Sequence, residues 1–184
     1  FFQSISARTC GFNTVDIASL SEASLMVLLF LMFIGGAPGS CAGGVKVTSA
    51  GIMLAVILSL FRKEKRPTIF GRSLGWVLLN RSLLLVISVF LFINLVLLLL
   101  LVSQGAVLHQ AKGSFLSLLF EVVSGFGTVG LSMGITSELN SFGKVLIILT
   151  MFLGRVGPLV LIHSLQSAGP GVTIEYPEEE VMIG

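Results

Sequence analysis

The sequence predicts an all-α integral membrane fold in which full spans alternate with short re-entrant helices and one span is broken. Three observations lead there. Mean hydropathy is +1.03, and charged residues make up 11% of the 184 positions, where a soluble domain carries about 25%. Residues 83–102, LLLVISVFLFINLVLLLLLV, form an unbroken apolar run of the length that a hydrocarbon core of roughly 30 Å requires. Finally, the apolar blocks 25–34 and 50–61 are parted by GGAPGSCAGGVK, residues 35–46, with five glycines and one proline. Glycine is about 1 kcal/mol and proline about 3 kcal/mol worse than alanine in a helix interior, so regular structure ends there.

Taken in order, the chain opens at FFQSIS without an initiator methionine, as expected of a fragment that has lost earlier segments. A short helix closed by Arg8 leads into TCGF at 9–12, and the block Leu25 to Ile34 covers about 15 Å, half of the core, before the break. After the block 50–61 come Arg62, Lys63, Lys65, Arg66 and Arg72, with Arg81 just inside the next span. By the positive-inside rule the basic loop 62–72 is cytoplasmic, and so is the C-terminus. Its shortness between two spans suits an orientation signal and not a nucleic-acid surface. The long span 76–102, a polar stretch 103–114 on the opposite side, the segment SFLSLLFEVVSG at 114–125, the stretch FGTVGLSMG and a span over 142–166 follow. Twelve residues rise only about 18 Å, so segment 114–125 dips into the bilayer and returns.

Shifting the sequence on itself by 119 positions brings TCG at 9–11 onto TVG at 128–130, MFIGG at 32–36 onto MFLGR at 151–155, and Leu20 onto Leu139. These are two copies of one unit, a common plan among membrane transport proteins. Span, re-entrant helix, glycine-bearing loop and span describe a pore-loop repeat. Backbone outside helices is tolerated in lipid only where protein or a water-filled path surrounds it. A glycine in such a loop admits backbone angles closed to other residues, so that carbonyl oxygens can replace a cation's hydration shell. The candidate cation-binding strands are therefore Thr9, Cys10, Gly11 and Phe12, with Phe12 available to pack behind the loop, and Thr128, Val129, Gly130 and Leu131.

The motifs SARTCGFNTVDIASL, MFIGGAPGSCAGGVK, FEVVSGFGTVGLSMGIT, MFLGRVGPL and the terminal YPEEEVMIG together resemble the membrane subunit of the Ktr/Trk/HKT superfamily of potassium transporters, closest to its Ktr branch. The resemblance implies four pore-loop repeats around one ion path, each giving a filter strand with a single glycine. On that plan residues 1–62 are the end of the third repeat, 63–75 a cytoplasmic basic loop, 76–168 the fourth repeat and 169–184 a cytoplasmic tail. It also implies potassium as substrate with sodium as a candidate coupling ion, a multi-pass place in the plasma membrane, a homodimer of the full-length subunit and control by a cytosolic nucleotide-binding ring. Roughly half of such a protein is absent from this chain, which alone is not expected to seal a pore. A single glycine per strand suggests a less stringent filter than the long T-V-G-Y-G type, through which sodium or rubidium also pass.

The broken span supplies a gate by position. Loop 35–46, with Gly35, Gly36, Gly39, Gly43 and Gly44, is side-chain poor and expected to swing aside at low cost, and the resembling family places its gate in such a loop. Lys46 is expected to snorkel toward the cytoplasmic interface or a wet vestibule. Arg155, at the level of Gly36 in the repeat, lies among apolar residues, where a guanidinium costs at least about 2.5–3.5 kcal/mol unless it faces the bundle interior. It is expected to donate to the loop's carbonyls as a latch, or to repel a passing cation by on the order of 3 kcal/mol at about 5 Å and an effective dielectric of 20. A plain helix-to-helix tie is the structural alternative. Arg8 and Glu121 are expected to brace the filter strands by hydrogen bonds or to pair with each other. Gly154, Gly157 and Pro158 are expected to loosen the last span.

Other chemistry finds little support. Gly39, Gly44 and Lys46 approach a phosphate-loop spacing, but Val45 separates glycine from lysine, Val47 follows it and no strand precedes it, so an enzyme is not expected. Cys10 and Cys41 lack metal-ligand spacing, and His109 and His163 stand alone. No covalently bound cofactor is expected, and no metal beyond a monovalent cation at the filter. A Trk-type subunit, a carrier that binds its solute at the broken helix, and a non-conducting scaffold remain as alternatives.

Overall fold

A computed structural model describes residues 1–40, 42–62, 67–69, 72–104 and 115–157. Helix α1 (Phe2–Ser6) is a single turn whose end is held by the amide of Ala7 on the carbonyl of Gln3. The chain then unwinds until a 3-10 turn at Ile17–Ser19, capped by Asp16, whose carboxylate accepts from the amide of Ala18 at 3.1 Å. Helix α2 (Glu22–Phe33) starts at Ser21, whose hydroxyl accepts from the amide of Ser24, with Glu22 placed against the positive helix end. It stops where the glycines begin.

Helix α3 (Val47–Arg62) follows the break and carries Arg62 in its last turn, where a cation complements the helix dipole. Within the stretch expected as a basic loop, Thr68–Ile69 (β1) and Arg72–Ser73 (β2) pair as a minimal antiparallel ribbon. Helix α4 (Trp76–Ser103) has 28 residues, about 42 Å at 1.5 Å per residue. Its portion Leu78–Ser103 is the one helix among the described residues long and apolar enough to cross a bilayer.

Helix α5 (Phe115–Phe126) matches the expected re-entrant segment to within one residue. A 3-10 turn at Ile135–Ser137 leads into α6 (Ser141–Val156), whose cap Asn140 accepts from the amide of Gly143 at 2.7 Å. Ser21 and Asn140 are equivalent under the internal shift, so α2 and α6 begin at the same place in the two copies and each follows a 3-10 turn. The expected continuation of the last span to residue 166, Pro158, the cytoplasmic tail, Cys41, His109 and His163 lie outside the described residues.

The core forms around α5, which packs against α2, α4 and α6 and is buried at Ser117 and Leu118 and continuously from Phe120 to Phe126. Leu25, Leu28 and Met32 of α2 and Val89, Ile93 and Leu100 of α4 join Leu118, Phe120 and Val122 in this cluster. Phe92 and Phe126 meet with ring centroids 6.2 Å apart at a tilt of 51°, an arrangement that suits the aromatic quadrupole. The opposite side of α4 exposes Leu84, Leu91, Leu95 and Leu98. A lipid environment accommodates such a face, and in it helices associate by close contact instead of by exclusion of water.

Candidate functional site

Both T-x-G triplets leave their helices in the same way. Among the described residues the only non-glycine positions with positive φ are Thr9 (68°) and Thr128 (50°), and each is followed two residues later by a left-handed glycine, Gly11 (73°) and Gly130 (91°). Holding a threonine in that region costs of order 1–2 kcal/mol, so the surroundings must enforce it. They do so through the amides. Those of Cys10 and Gly11 both donate to Ser6 O at 3.1 Å, and those of Thr128 and Val129 donate to Gly125 O and Ser124 O at 3.1 and 3.0 Å. Two of the four donors of each strand are thus spent on carbonyls at the end of the preceding helix.

The acceptors are not. Among the described residues, the carbonyls of Thr9, Cys10, Gly11, Thr128, Val129, Gly130 and Leu131 accept no hydrogen bond. Phe12 differs, because Ser6 donates its hydroxyl to the Phe12 carbonyl. The two strands lie side by side: a Cβ at Gly11 would fall 2.2 Å from Val129 O and 3.6 Å from Gly130 Cα. Left-handed geometry favours glycine at position 11, and this contact demands it. Thr9 Oγ1 lies 3.5 Å from Gly127 O.

Loop 35–46 is seated against the second strand. Its neck is laced by Gly35 N to Val45 O (2.8 Å), Val45 N to Phe33 O (3.2 Å) and Val47 N to Gly36 O (3.2 Å), which make Ile34 and Val45 a parallel bridge. Gly43 is buried and donates its amide to Thr128 Oγ1 at 3.2 Å. A Cβ there would lie 2.6 Å from that oxygen and 2.9 Å from Gly127 O, so no side chain fits between loop and strand. Gly44 is buried at φ 79°, whereas Gly39 sits at the exposed tip with Ala37, Pro38 and Ser40. The loop is therefore an anchored hairpin-like unit, not the slack segment that its composition suggests.

Lys46 and Arg155 exchange their expected parts. Lys46 folds back over the loop and donates through Nζ to Ala42 O at 2.7 Å and Ser40 O at 3.4 Å, so it caps the loop's own carbonyls instead of snorkelling away. Arg155 is exposed and makes no hydrogen bond or ion pair among the described residues. Its neighbour Gly154 explains why. A Cβ at Gly154 would lie 1.9 Å from Phe126 O, so α6 presses that position onto α5, and the next residue, about 100° further round the helix, turns away.

Glu121 has partners just beyond the second strand that the sequence reading missed. Its carboxylate is buried and accepts from Ser132 Oγ at 2.8 Å and from the hydroxyl of Thr136, which also meets Ser132 Oγ at 3.0 Å. The signal lay in two hydroxyl residues four apart just beyond Leu131. Arg8 is exposed and, among the described residues, does not pair with Glu121 or any other acid. Phe12 projects outward, 73% exposed, and does not pack behind its strand, whereas Leu131, its counterpart, is buried. Cys10 is a free, exposed thiol, and no cluster of metal-ligating side chains occurs among the described residues.

A bilayer-length apolar helix, short helices enclosed by others, and two unwound strands in contact define a helical membrane protein that shelters irregular backbone. The chain belongs to the TrkH family, described as cation transport protein, which matches residues 1–167. The family is one of cation transporters and not of enzymes. Over its whole length the chain is 35% identical to Ktr system potassium uptake protein B of Vibrio alginolyticus, of which it covers 39%. It is 36% identical to the protein of the same name from Bacillus subtilis, covering 40%, and 37% identical to potassium/sodium uptake protein NtpJ of Enterococcus hirae, covering 41%. The chain thus spans about two-fifths of the length of these relatives. The crystal structure of the potassium transporter TrkH from Vibrio parahaemolyticus shares the fold, with a TM-score of 0.69 and 22% identity over 92% of this chain and 36% of that one.

Proposed function

We propose that the chain is part of a potassium-translocating pore subunit, in which cations pass along single-glycine strands and an intramembrane loop gates them. The observation that carries this reading is the imbalance in the two T-x-G strands: two amides of each are committed to the preceding helix, while seven carbonyls accept nothing among the described residues. Alternating left- and right-handed residues favour an array of acceptors, and acceptors without donors are what a dehydrated cation requires. The names of the relatives support potassium as the ion and sodium as a candidate coupling ion.

On this reading residues 1–62 end one pore-loop repeat, 63–75 are a cytoplasmic link, 76–168 form the next repeat and 169–184 a cytoplasmic tail. The subunit sits in the plasma membrane as a homodimer under a cytosolic nucleotide-binding ring. Glu121 braces the second strand through Ser132 and Thr136, and Lys46 stiffens the gate. Arg155 acts at the gate through its charge alone. The test is ⁸⁶Rb⁺ and ²²Na⁺ flux through the assembled transporter carrying Gly130→Ser. A changed flux ratio is expected, and an unchanged ratio with undiminished flux rejects the filter.

A further inference from the structure

A single hydrogen bond joins the loop to either T-x-G strand among the described residues, and it falls on the hydroxyl of Thr128. The other ties of the loop, its laced neck and the Lys46 clamp, stay within the loop and its flanking helices. We propose that Thr128 Oγ1 is shared between the loop and the transported cation, so that loop closure and cation occupancy beside Thr128 oppose each other. This inference rests on reading Thr128–Leu131 as a filter strand.

The chemistry follows from one oxygen having two suitors. A hydroxyl oxygen offers two lone pairs, and a cation and an N–H both seek them. When Gly43 donates, the positive end of its N–H dipole points at the oxygen that a cation would approach, and the two repel. Contact is direct, because a Cβ on Gly43 would already lie 2.6 Å from that oxygen and no water fits between. Thr9, the equivalent threonine of the first copy, receives no loop amide; its hydroxyl is directed at Gly127 O. Only one of the two strands therefore senses the loop. Coupling of this kind is reciprocal: whatever factor a bound cation removes from loop seating, the seated loop removes from cation affinity.

The assembled transporter in proteoliposomes, in a Cys10→Ser and Cys41→Ser background, tests this with Ser40→Cys at the exposed loop tip. The readout is the rate of modification by a membrane-impermeant thiol reagent in potassium against N-methyl-D-glucamine. Potassium should raise the rate by at least about fivefold, the lower end of ordinary allosteric coupling. Thr128→Ser should keep that dependence and Thr128→Val should abolish it. Equal rates in the two media for the parent, or a potassium effect that survives Thr128→Val, overturn the inference. The Gly130→Ser flux ratio in the same vesicles separates the two levels. If that ratio changes while labelling ignores potassium, only the coupling fails; if neither ratio nor flux changes, the filter reading fails as well.

Discussion

The amide of Gly43 donates to the hydroxyl of Thr128 across 3.2 Å, and 85 residues of sequence separate the two. The loop between α2 and α3 is thereby fastened to the strand that follows the buried helix α5. The geometry on both sides of this bond sets the expectations below.

Gly11→Ala should be more damaging than Gly39→Ala. A methyl at position 11 meets Val129 O at 2.2 Å, while one at position 39 meets nothing within 4 Å. Both positions have positive φ, so each substitution carries a backbone cost of about 1 kcal/mol, and only the first adds a collision with the neighbouring strand. Potassium uptake in a deficient strain is expected to fall at least about tenfold for Gly11→Ala, equivalent to about 1.4 kcal/mol. For Gly39→Ala it is expected to remain within about threefold. Similar losses for both would contradict the contact.

Lys46→Gln should loosen the loop. It removes charge-assisted hydrogen bonds to Ala42 O and Ser40 O, worth about 1.5–3 kcal/mol for a charged donor. Unstimulated ⁸⁶Rb⁺ flux is expected to rise by about tenfold. Arg155→Lys, by contrast, should leave flux near its original value, because the exposed guanidinium donates nothing to the loop and only its charge counts. A large effect of Arg155→Lys would restore the latch.

Glu121→Leu removes the acceptor of two hydroxyl groups from a buried position. The expected cost is about 2–4 kcal/mol, read as a lower melting temperature of the purified transporter, with Glu121→Gln losing less. Because the hydroxyls belong to the segment just beyond Leu131, the potassium-to-sodium flux ratio should fall together with stability. A variant that melts earlier at an unchanged ratio would make Glu121 a packing residue only.

The exposed thiol of Cys10, flanked by Thr9 and Gly11, offers a direct probe. A small cationic thiol reagent is expected to block flux, and Cys10→Ser to abolish the block. Persistent block in Cys10→Ser would place the reactive site elsewhere.

What the sequence made legible was local. The glycine-rich break and, to within one residue, the bounds of α5 follow from propensity and length, whereas the caps Ser21 and Asn140 that set the starts of α2 and α6 were not read. The T-x-G triplets could be recognised because two copies kept their register. Longer-range partnerships were hidden. Periodicity says that Arg155 lies within an apolar helix, but only the press of Gly154 on Phe126 O decides which way it turns. Lys46 found acceptors within its own loop, Arg8 found none among the described residues, and Phe12 stayed outside because no described side chain covers it. Ser132 and Thr136 passed unnoticed, since a serine and a threonine beyond a filter motif look like any polar turn until a carboxylate is seen between them.

The enclosure of α5 also has a consequence for biogenesis. Of the helices packed on it, α2 and α4 are synthesised earlier and α6 later. At about 18 Å the helix cannot anchor itself across a bilayer as an independent stop-transfer segment, and its carboxylate has no place in bare hydrocarbon. Nascent α5 must therefore wait near the headgroups until α6 leaves the ribosome, so a stalled chain ending before Ser141 should remain protease-sensitive there.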